Sequence, residues 1–268
     1  LTDVKANLYD RELEDWNINA EFYLRETESP FFQIIHKEKI DTYNLQNEGN
    51  MLLDLGAGIG YFANNLREKG KKVIAIDFSY EMLRIAKKEY PNIVYVVASA
   101  DNLPFKDNVF DIITANGVLH HLKAQNLLEN SINEINKALK ENGVFCLFDR
   151  NGSFLSLVLH GFIMFIKKIM VKIKGKFSGS SSMSEPSFTD RDLKIVQNSG
   201  FKIVNRKFVA SIPSFVMIVL ANSIEYFISL SLSNSFRKKF LSLFSFFEYN
   251  IRSKQFCVEQ CVKFRKVR

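Results

Sequence analysis

The sequence predicts an α/β fold, a mostly parallel sheet with helices on both faces, and three observations lead there. From Asn50 onward, short and nearly continuous apolar runs alternate with helical stretches, the pattern of strands buried on both faces. The same rhythm returns at Thr189, after a break. The chain has 268 residues, 47% hydrophobic and 24% charged, which suits one large domain or one domain with insertions. That composition excludes a disordered or collagen-like chain.

Residues 1–48 are polar and acidic with scattered aromatics and read as two helices. MLLDLGAGIG is a strand running into a glycine loop, and YFANNLREKG a helix stopped at Gly70. KKVIAID is a second strand, and SYEMLRIAKKEY a helix with Ser79 as its N-cap. IVYVVASA and FDIITAN are the third and fourth strands. Gln125–Lys140 reads as one helix with an apolar stripe, and GVFCLFD as strand five. Thr189 and Asp192 have the spacing of a capping box, opening a helix that ends at Gly200. FKIVNRKFVA is a sixth strand. QFCVEQCVKFRKV alternates well enough to be a seventh, with Phe256, Val258, Val262 and Phe264 on one face.

Charge is divided unevenly along this plan. Residues 1–150 hold 17 Lys/Arg against 23 Asp/Glu, whereas residues 151–268 hold 19 against 6. Two stretches interrupt the α/β rhythm, 151–188 and 211–250. The first carries five Lys/Arg to one acid, and the second three to two with many Phe. In the first, Ile166, Ile169, Met170, Ile173 and Phe177 share a helical face, with Lys168, Lys172 and Lys176 on another. In the second, Phe236, Phe240, Leu243, Phe244 and Phe247 do the same. Such stripes suit helices lying on an anionic membrane surface, or packing on the protein itself. Phe154–Ile166 is shorter than the ~20 residues of a membrane span, and Ile212–Leu232 contains Pro213 and Glu225. The basic residues are interleaved with aliphatics and no nucleic-acid-binding module is evident, so nucleic acid is not an expected partner.

The chain opens on acidic, polar residues without a charged-then-apolar leader, which predicts a cytoplasmic protein, peripheral at the inner face of a membrane. Three cysteines cannot form a disulfide framework. Cys146 reads as core. Cys257 and Cys261 share a strand face, roughly 13 Å apart, too far for a shared metal or disulfide. No metal is expected.

The motif that carries chemistry is Asp54-Leu55-Gly56-Ala57-Gly58-Ile59-Gly60, between a strand and a helix. Its GxGxG spacing departs from the GxGxxG that seats a dinucleotide pyrophosphate. Asp77 ends the next strand, where a carboxylate can accept both hydroxyls of an unphosphorylated ribose. A glycine loop with this acid describes a nucleoside ligand without a diphosphate.

Four segments, LLDLGAGIGYFANNL, VIAIDFSYEMLRIAKK, ASADNLPFKDNVFDIITANGVLHHL and LKENGVFCLFD, occur in the order of a known family. Through them about residues 48–150 resemble the class I S-adenosylmethionine-dependent methyltransferases, in the branch (methyltransferase type 11) that includes quinone and sterol methylases. The resemblance implies a doubly wound, Rossmann-like, mostly parallel seven-stranded sheet whose last strand is antiparallel, with helical insertions forming a cap. It implies a cofactor-binding core over 49–150, and around that core the chain reads as an N-terminal helical lid over 1–48 and an insertion at 151–188. Core helix and strand six then occupy 189–210, a second insertion 211–250, and the closing strand 251–268.

It also implies S-adenosylmethionine as cofactor and assigns residues to it. Gly56, Ala57, Gly58 and Gly60 wrap the methionine part, and Asp54 supports its ammonium. Asp77 takes the ribose hydroxyls, Phe78 lies against the adenine, and Asp101 accepts from the adenine amino group beside Asn102 and Leu103. Asn116 sits near the sulfonium. His120 or His121 is a candidate general base, or shapes the pocket, and Asp149 a candidate for orienting the acceptor. Both insertions leave the carboxyl edge of the sheet, where ligands of parallel sheets bind. A greasy, basic roof there suggests a lipophilic acceptor drawn from a membrane: a quinone, isoprenoid, polyketide or lipid-linked sugar. A soluble sugar or metabolite as acceptor, with the apolar helices used for dimerisation, and a non-catalytic membrane-bound adaptor remain the alternatives.

Overall fold

The computed structural model describes residues 2–28, 30–151, 186–211 and 257–267. The amphipathic stripes and the stretch considered for a membrane span lie outside these residues. Among the described residues, no helix is long and apolar enough to cross a membrane.

Two helices come first, α1 (Thr2–Glu26) and α2 (Pro30–Tyr43). The core then runs β1 (Met51–Leu55), α3 (Tyr61–Glu68), β2 (Lys72–Asp77), α4 (Tyr80–Glu89), β3 (Val94–Val97) and β4 (Phe110–Asn116). It continues with α5 (Leu119–Ala124), α6 (Leu128–Ala138), β5 (Leu139–Arg150), α7 (Asp190–Asn198), β6 (Phe201–Ser211) and β7 (Cys257–Lys266). The seven strands form one sheet in the order β3-β2-β1-β4-β5-β7-β6. β1 pairs in parallel with β2 and β4, and β4 with β5. β7 is antiparallel to both β5 and β6, so β6 points the same way as β5. The expected sheet, with its antiparallel last strand, is the observed one.

Alternation along the strands divides two cores. Leu53, Leu55, Ile113, Ala115, Phe145 and Leu147 face α5, α6 and α7. Leu52, Ile112, Val144, Cys146 and Phe148 face α2 and α3. This period of two, buried on both sides, is why the strands read as unbroken apolar runs. Caps match their sequence signals: Ser79 Oγ accepts from Met82 N at 3.1 Å, and Thr189 N donates to Asp192 Oδ2 at 2.7 Å.

One element departs from expectation. The helix read over Gln125–Lys140 is the shorter α6; a separate helix, α5, precedes it and ends at Ala124, with Asn126 at φ +58° between them, and Leu139 and Lys140 belong to β5. Asparagine tolerates that left-handed conformation, and the break lets α5 start directly at the carboxyl end of β4.

Part of the charge imbalance is matched across the fold. Glu48, just after α2, meets Lys263 at 2.5 Å and Arg265 at 3.0 Å on β7. Burial alone would raise Glu48, but these two cations hold its carboxyl below the usual range. Acids of the front half thus neutralise cations of the last strand.

Candidate functional site

A cleft of about 290 Å³ opens over the carboxyl edge of the sheet, between the loops after β1, β2 and β4 and the helices α1 and α2. Strand direction fixes its place, because every loop leaving the parallel strands emerges on that edge.

The glycine loop forms one wall. Ala57 N donates to Ile76 O at 2.8 Å, and Gly60 N to Ala57 O at 2.9 Å, folding the loop back onto β2. Asp77 secures it: its Oδ2 accepts from Gly58 N at 2.8 Å and its Oδ1 from Ser79 N at 2.9 Å. Gly56 has φ +63°, and a Cβ there would meet Val118 Cγ2 at 2.3 Å. Beside Gly58, at φ +52°, a Cβ would meet nothing within 4 Å, so that backbone faces open space.

Behind the loop, Asp54 is almost fully buried on β1. Thr114 Oγ1 donates to its Oδ1 at 2.7 Å, while its Oδ2 is buried with no hydrogen-bond partner. Burial pushes the Asp54 carboxyl up to about 7, against the Thr114 hydrogen bond and with a smaller push from Asp77. Burial likewise raises Asp77 to about 6, against its backbone N–H donors. Two desolvated carboxylates, one with an orphaned oxygen, form a site for a ligand with a cationic end.

The far wall is aromatic. Trp16, Tyr23, Phe32, Tyr61, Phe62 and Phe78 line the cleft. Trp16 stands edge-on to His121, with ring centroids 5.4 Å apart, and Phe32 stacks on His36 at 3.8 Å. α1 is tied down at both sides of the opening. Ser79 Oγ donates to Asn17 Oδ1 at 2.6 Å, Glu12 Oε1 lies 2.6 Å from His121 Nδ1, and Gln125 Nε2 donates to Glu12.

The two adjacent histidines have different settings. His121 lines the cleft. His120 is buried, with Nδ1 2.7 Å from Asp149 Oδ1 and its backbone N–H on Asp149 Oδ2 at 3.1 Å. Burial would raise Asp149, but His120 and the Arg150 N–H outweigh it and hold the carboxyl low.

Of the residues expected at the site, the structure brings Gly56, Ala57, Gly58, Asp77, Phe78, Asn116 and His121 into the cleft wall. Asp54, Gly60, His120 and Asp149 stand behind it. Asp101 receives a hydrogen bond from Ser99 Oγ, Asn102 is exposed, and Leu103 packs in the core with its N–H on Glu134 Oε2 at 3.3 Å. The start of the loop after β3, Ala98–Ala100, rather than the three residues that follow, lines the cleft. Glu12, Trp16, His36, Lys39 and Gln125 also line it and were not singled out from the sequence. α1 and α2 packing across the sheet edge makes the first four neighbours of the glycine loop, and Gln125, at the end of α5, meets Glu12 there. Among the described residues, no group of three or more His, Cys, Asp or Glu could hold a metal ion.

These residues fit S-adenosylmethionine: an orphaned buried carboxylate oxygen for an ammonium, remaining lone pairs on Asp77 for ribose hydroxyls, and an open glycine backbone between them. A pH dependence follows, with a definite sign. Both carboxyls lie above their unfolded value, so the stability they allow is greatest below about pH 4 and is lost as pH rises through 6 to 7. A cationic ligand needs them ionised. Its affinity should therefore climb by up to ~10-fold per pH unit between pH 5.5 and 7. Calorimetric titration with S-adenosylmethionine across that range would show it, and a flat profile would exclude both carboxyls as the cation's partners.

Residues 53–147 match a family model described as a methyltransferase domain. A demethylmenaquinone methyltransferase of Chlorobaculum tepidum is 29% identical over 164 residues, 56% of this chain and 65% of that protein. An uncharacterised protein of Methanocaldococcus jannaschii is 30% identical over 161 residues, 58% of this chain and 60% of that one. The chain thus spans less than two thirds of the length of these curated relatives. Among solved structures, an S-adenosylmethionine-dependent methyltransferase of Thermotoga maritima aligns with a TM-score of 0.58 at 16% identity, covering 94% of this chain and 99% of that one. A phosphoethanolamine N-methyltransferase of Haemonchus contortus aligns at 0.53 with 17% identity, covering 87% and 52%. At these identities the structural likeness establishes the fold.

Proposed function

We propose, from the premise that residues 53–147 are a methyltransferase domain, that the chain transfers a methyl group from S-adenosylmethionine to a lipophilic small molecule. The observation that carries this is the cleft, with a glycine loop and two desolvated acids on one wall and six aromatic rings around the rest.

When bound, S-adenosylmethionine supplies a methyl carbon on a positively charged sulfur. What the protein adds is orientation and dryness. Asp54 and Asp77 hold the two polar ends of the cofactor, and the Gly56–Gly58 backbone lets it approach closely. Trp16 and Tyr23 on α1, with Phe32 on α2, cover the opening, exclude water and hold an apolar acceptor. An acceptor that loses a proton needs a base; of the two histidines in the cleft wall, His121 is held by Glu12, whereas burial and the Lys39 charge lower His36 to about 3. His120 and Asp149 support it from behind: the two rings lie 4.0 Å apart, and Asp149 is engaged with His120 and backbone rather than with the cleft.

The lipid-like character of the acceptor also accords with the Phe-rich, basic sequence of 151–188 and 211–250. A quinone is one such acceptor, and a curated relative carries that substrate in its name. The chain working at an anionic membrane surface belongs to the same proposal.

The test is incubation of the purified chain with trideuteromethyl-labelled S-adenosylmethionine and a lipid extract, followed by mass spectrometry. A labelled apolar product is expected. His121→Ala should reduce its formation by about 10²-fold with cofactor affinity unchanged. Product confined to water-soluble metabolites would overturn the lipophilic acceptor, and failure to bind the cofactor would overturn the enzyme. Flotation with anionic vesicles addresses the membrane: chain left at the bottom at moderate salt removes that part.

A further inference from the structure

We propose that Lys39 recognises an ionised oxygen on the acceptor, so that the acceptor is a planar enol or phenol bound as its anion. The inference rests on the methyl-transfer reading and adds the acceptor's chemical class to it.

Phe32, His36 and Lys39 fall on one face of α2 at helical spacing, and all three line the cleft. Lys39 is 6% exposed, a rare depth for a lysine. Its Nζ lies 3.4 Å from Asn116 Oδ1 at the end of β4 and 3.4 Å from Glu259 Oε2 on β7. It also sits 3.9 Å from the centroid of the Phe148 ring at the end of β5. All three partners stand at the carboxyl edge of the parallel sheet, where the acceptor must bind.

Both oxygen contacts are longer than the about 2.8 Å of a good charge-assisted hydrogen bond. Glu259 Oε2 is itself buried without a hydrogen-bond partner, so the pair is held near, but not closed. Glu259 and the Phe148 face offset part of the cost of burying the Lys39 head, and a third N–H remains for a stronger acceptor. Among the described lining residues Lys39 is the one Lys or Arg. Its neighbour His36 does not compete, because burial and the Lys39 charge lower His36 to about 3 and leave it neutral. A single buried cation in a cleft that the Phe32 and Tyr61 rings also line selects a flat molecule with one localised negative oxygen. Where that oxygen is the methyl acceptor, Lys39 favours the deprotonated form and His121 takes the proton before transfer. Where it is a neighbour, Lys39 fixes orientation.

The chain's one tryptophan, Trp16, lines the same cleft and reports binding by fluorescence. The full chain, saturated with S-adenosylhomocysteine, would be titrated with 2-hydroxy-1,4-naphthoquinone, ionised at neutral pH, and with its neutral 2-methoxy ether. The hydroxy probe should bind at least ~10-fold tighter. Lys39→Met should erase that preference and Lys39→Arg should keep part of it. Equal affinities in the parent chain, no quenching by either probe, or a preference unchanged in Lys39→Met would each overturn the proposal. Calorimetry with S-adenosylhomocysteine separates the two readings. Binding to the parent chain leaves the methyltransferase reading intact whatever the probes do, and its absence strikes that reading instead. If Lys39→Met loses S-adenosylhomocysteine through misfolding, Lys39→Gln replaces it, with the same outcomes decisive.

Discussion

Asp54→Asn should bind S-adenosylmethionine about 10²-fold more weakly and yet melt at a higher temperature than the parent chain when both are ligand-free. The two effects have one cause. Asp54 is buried on β1, satisfied on one oxygen by Thr114 and unsatisfied on the other. Burial raises its carboxyl to about 7, so near neutral pH folding must either retain a proton there or hold a desolvated charge. The folded state binds more protons than the unfolded one between about pH 4 and 7, and stability falls over that window. Asparagine keeps the Thr114 hydrogen bond, replaces the charge by an amide and removes this pH-linked loss. The gain should appear as a melting temperature a few degrees higher, about 1–2 kcal/mol, at pH 7.5 and should shrink towards pH 4. The cation's partner is lost in the same step, and truncating one side of a buried charge pair costs about 2–5 kcal/mol of binding. Thermal melts with and without cofactor would measure both. A variant that binds normally would remove Asp54 from the cofactor site.

Gly56→Ala should lower the melting temperature by about 5–10 °C, whereas Gly58→Ala, two residues on, should lower it by only about 2–4 °C. Both glycines have positive φ, at a cost of about 1–2 kcal/mol for a side chain. They differ in surroundings. A Cβ on Gly56 would lie 2.3 Å from Val118 Cγ2, and overpacking of that kind adds about 1–3 kcal/mol. A Cβ on Gly58 meets no atom within 4 Å, so its cost is conformational. Its effect should fall on the ligand, at least ~10-fold in cofactor affinity, because the methyl enters the open space where backbone approaches the cofactor. Val118→Ala should recover about half of the Gly56→Ala loss, since it removes the atom struck. Recovery absent in the double variant would show that φ, and not Val118, sets the penalty.

The sheet was legible because its signal is local. Strands buried on both faces announce themselves as apolar runs, and Gly56, Gly58, Gly60 and Asp77 lie within one strand–loop–helix–strand segment. The cleft's other wall was not legible. Glu12, Trp16, His36 and Lys39 belong to helices whose hydrophobic periodicity says only that they pack somewhere. Lys39 meets Asn116, 77 residues away, and Glu259 on the last strand. The division between His120 and His121 was equally hidden, since adjacent residues on a helix point about 100° apart and only Asp149 reveals which is buried. The later start of α6 was hidden too, because Asn126, left-handed between α5 and α6, sits in a stretch that reads as helical from Gln125.

The placement of β7 between β5 and β6 also bears on how the molecule is made. A ribosome delivers β6 before β7, so the emerging chain holds a β5 edge and a β6 with nothing between them until residues 257–266 arrive. During that interval the apolar side chains of β5 and its unpaired backbone are a ready surface for wrong partners, including another nascent copy. Closing the sheet requires β7 to slide in between β5 and β6, antiparallel, and to bring Lys263 and Arg265 to Glu48, made more than 200 residues earlier. Completion of this sheet thus waits on residues 257–266, and β5 stays an open edge until they pair with it.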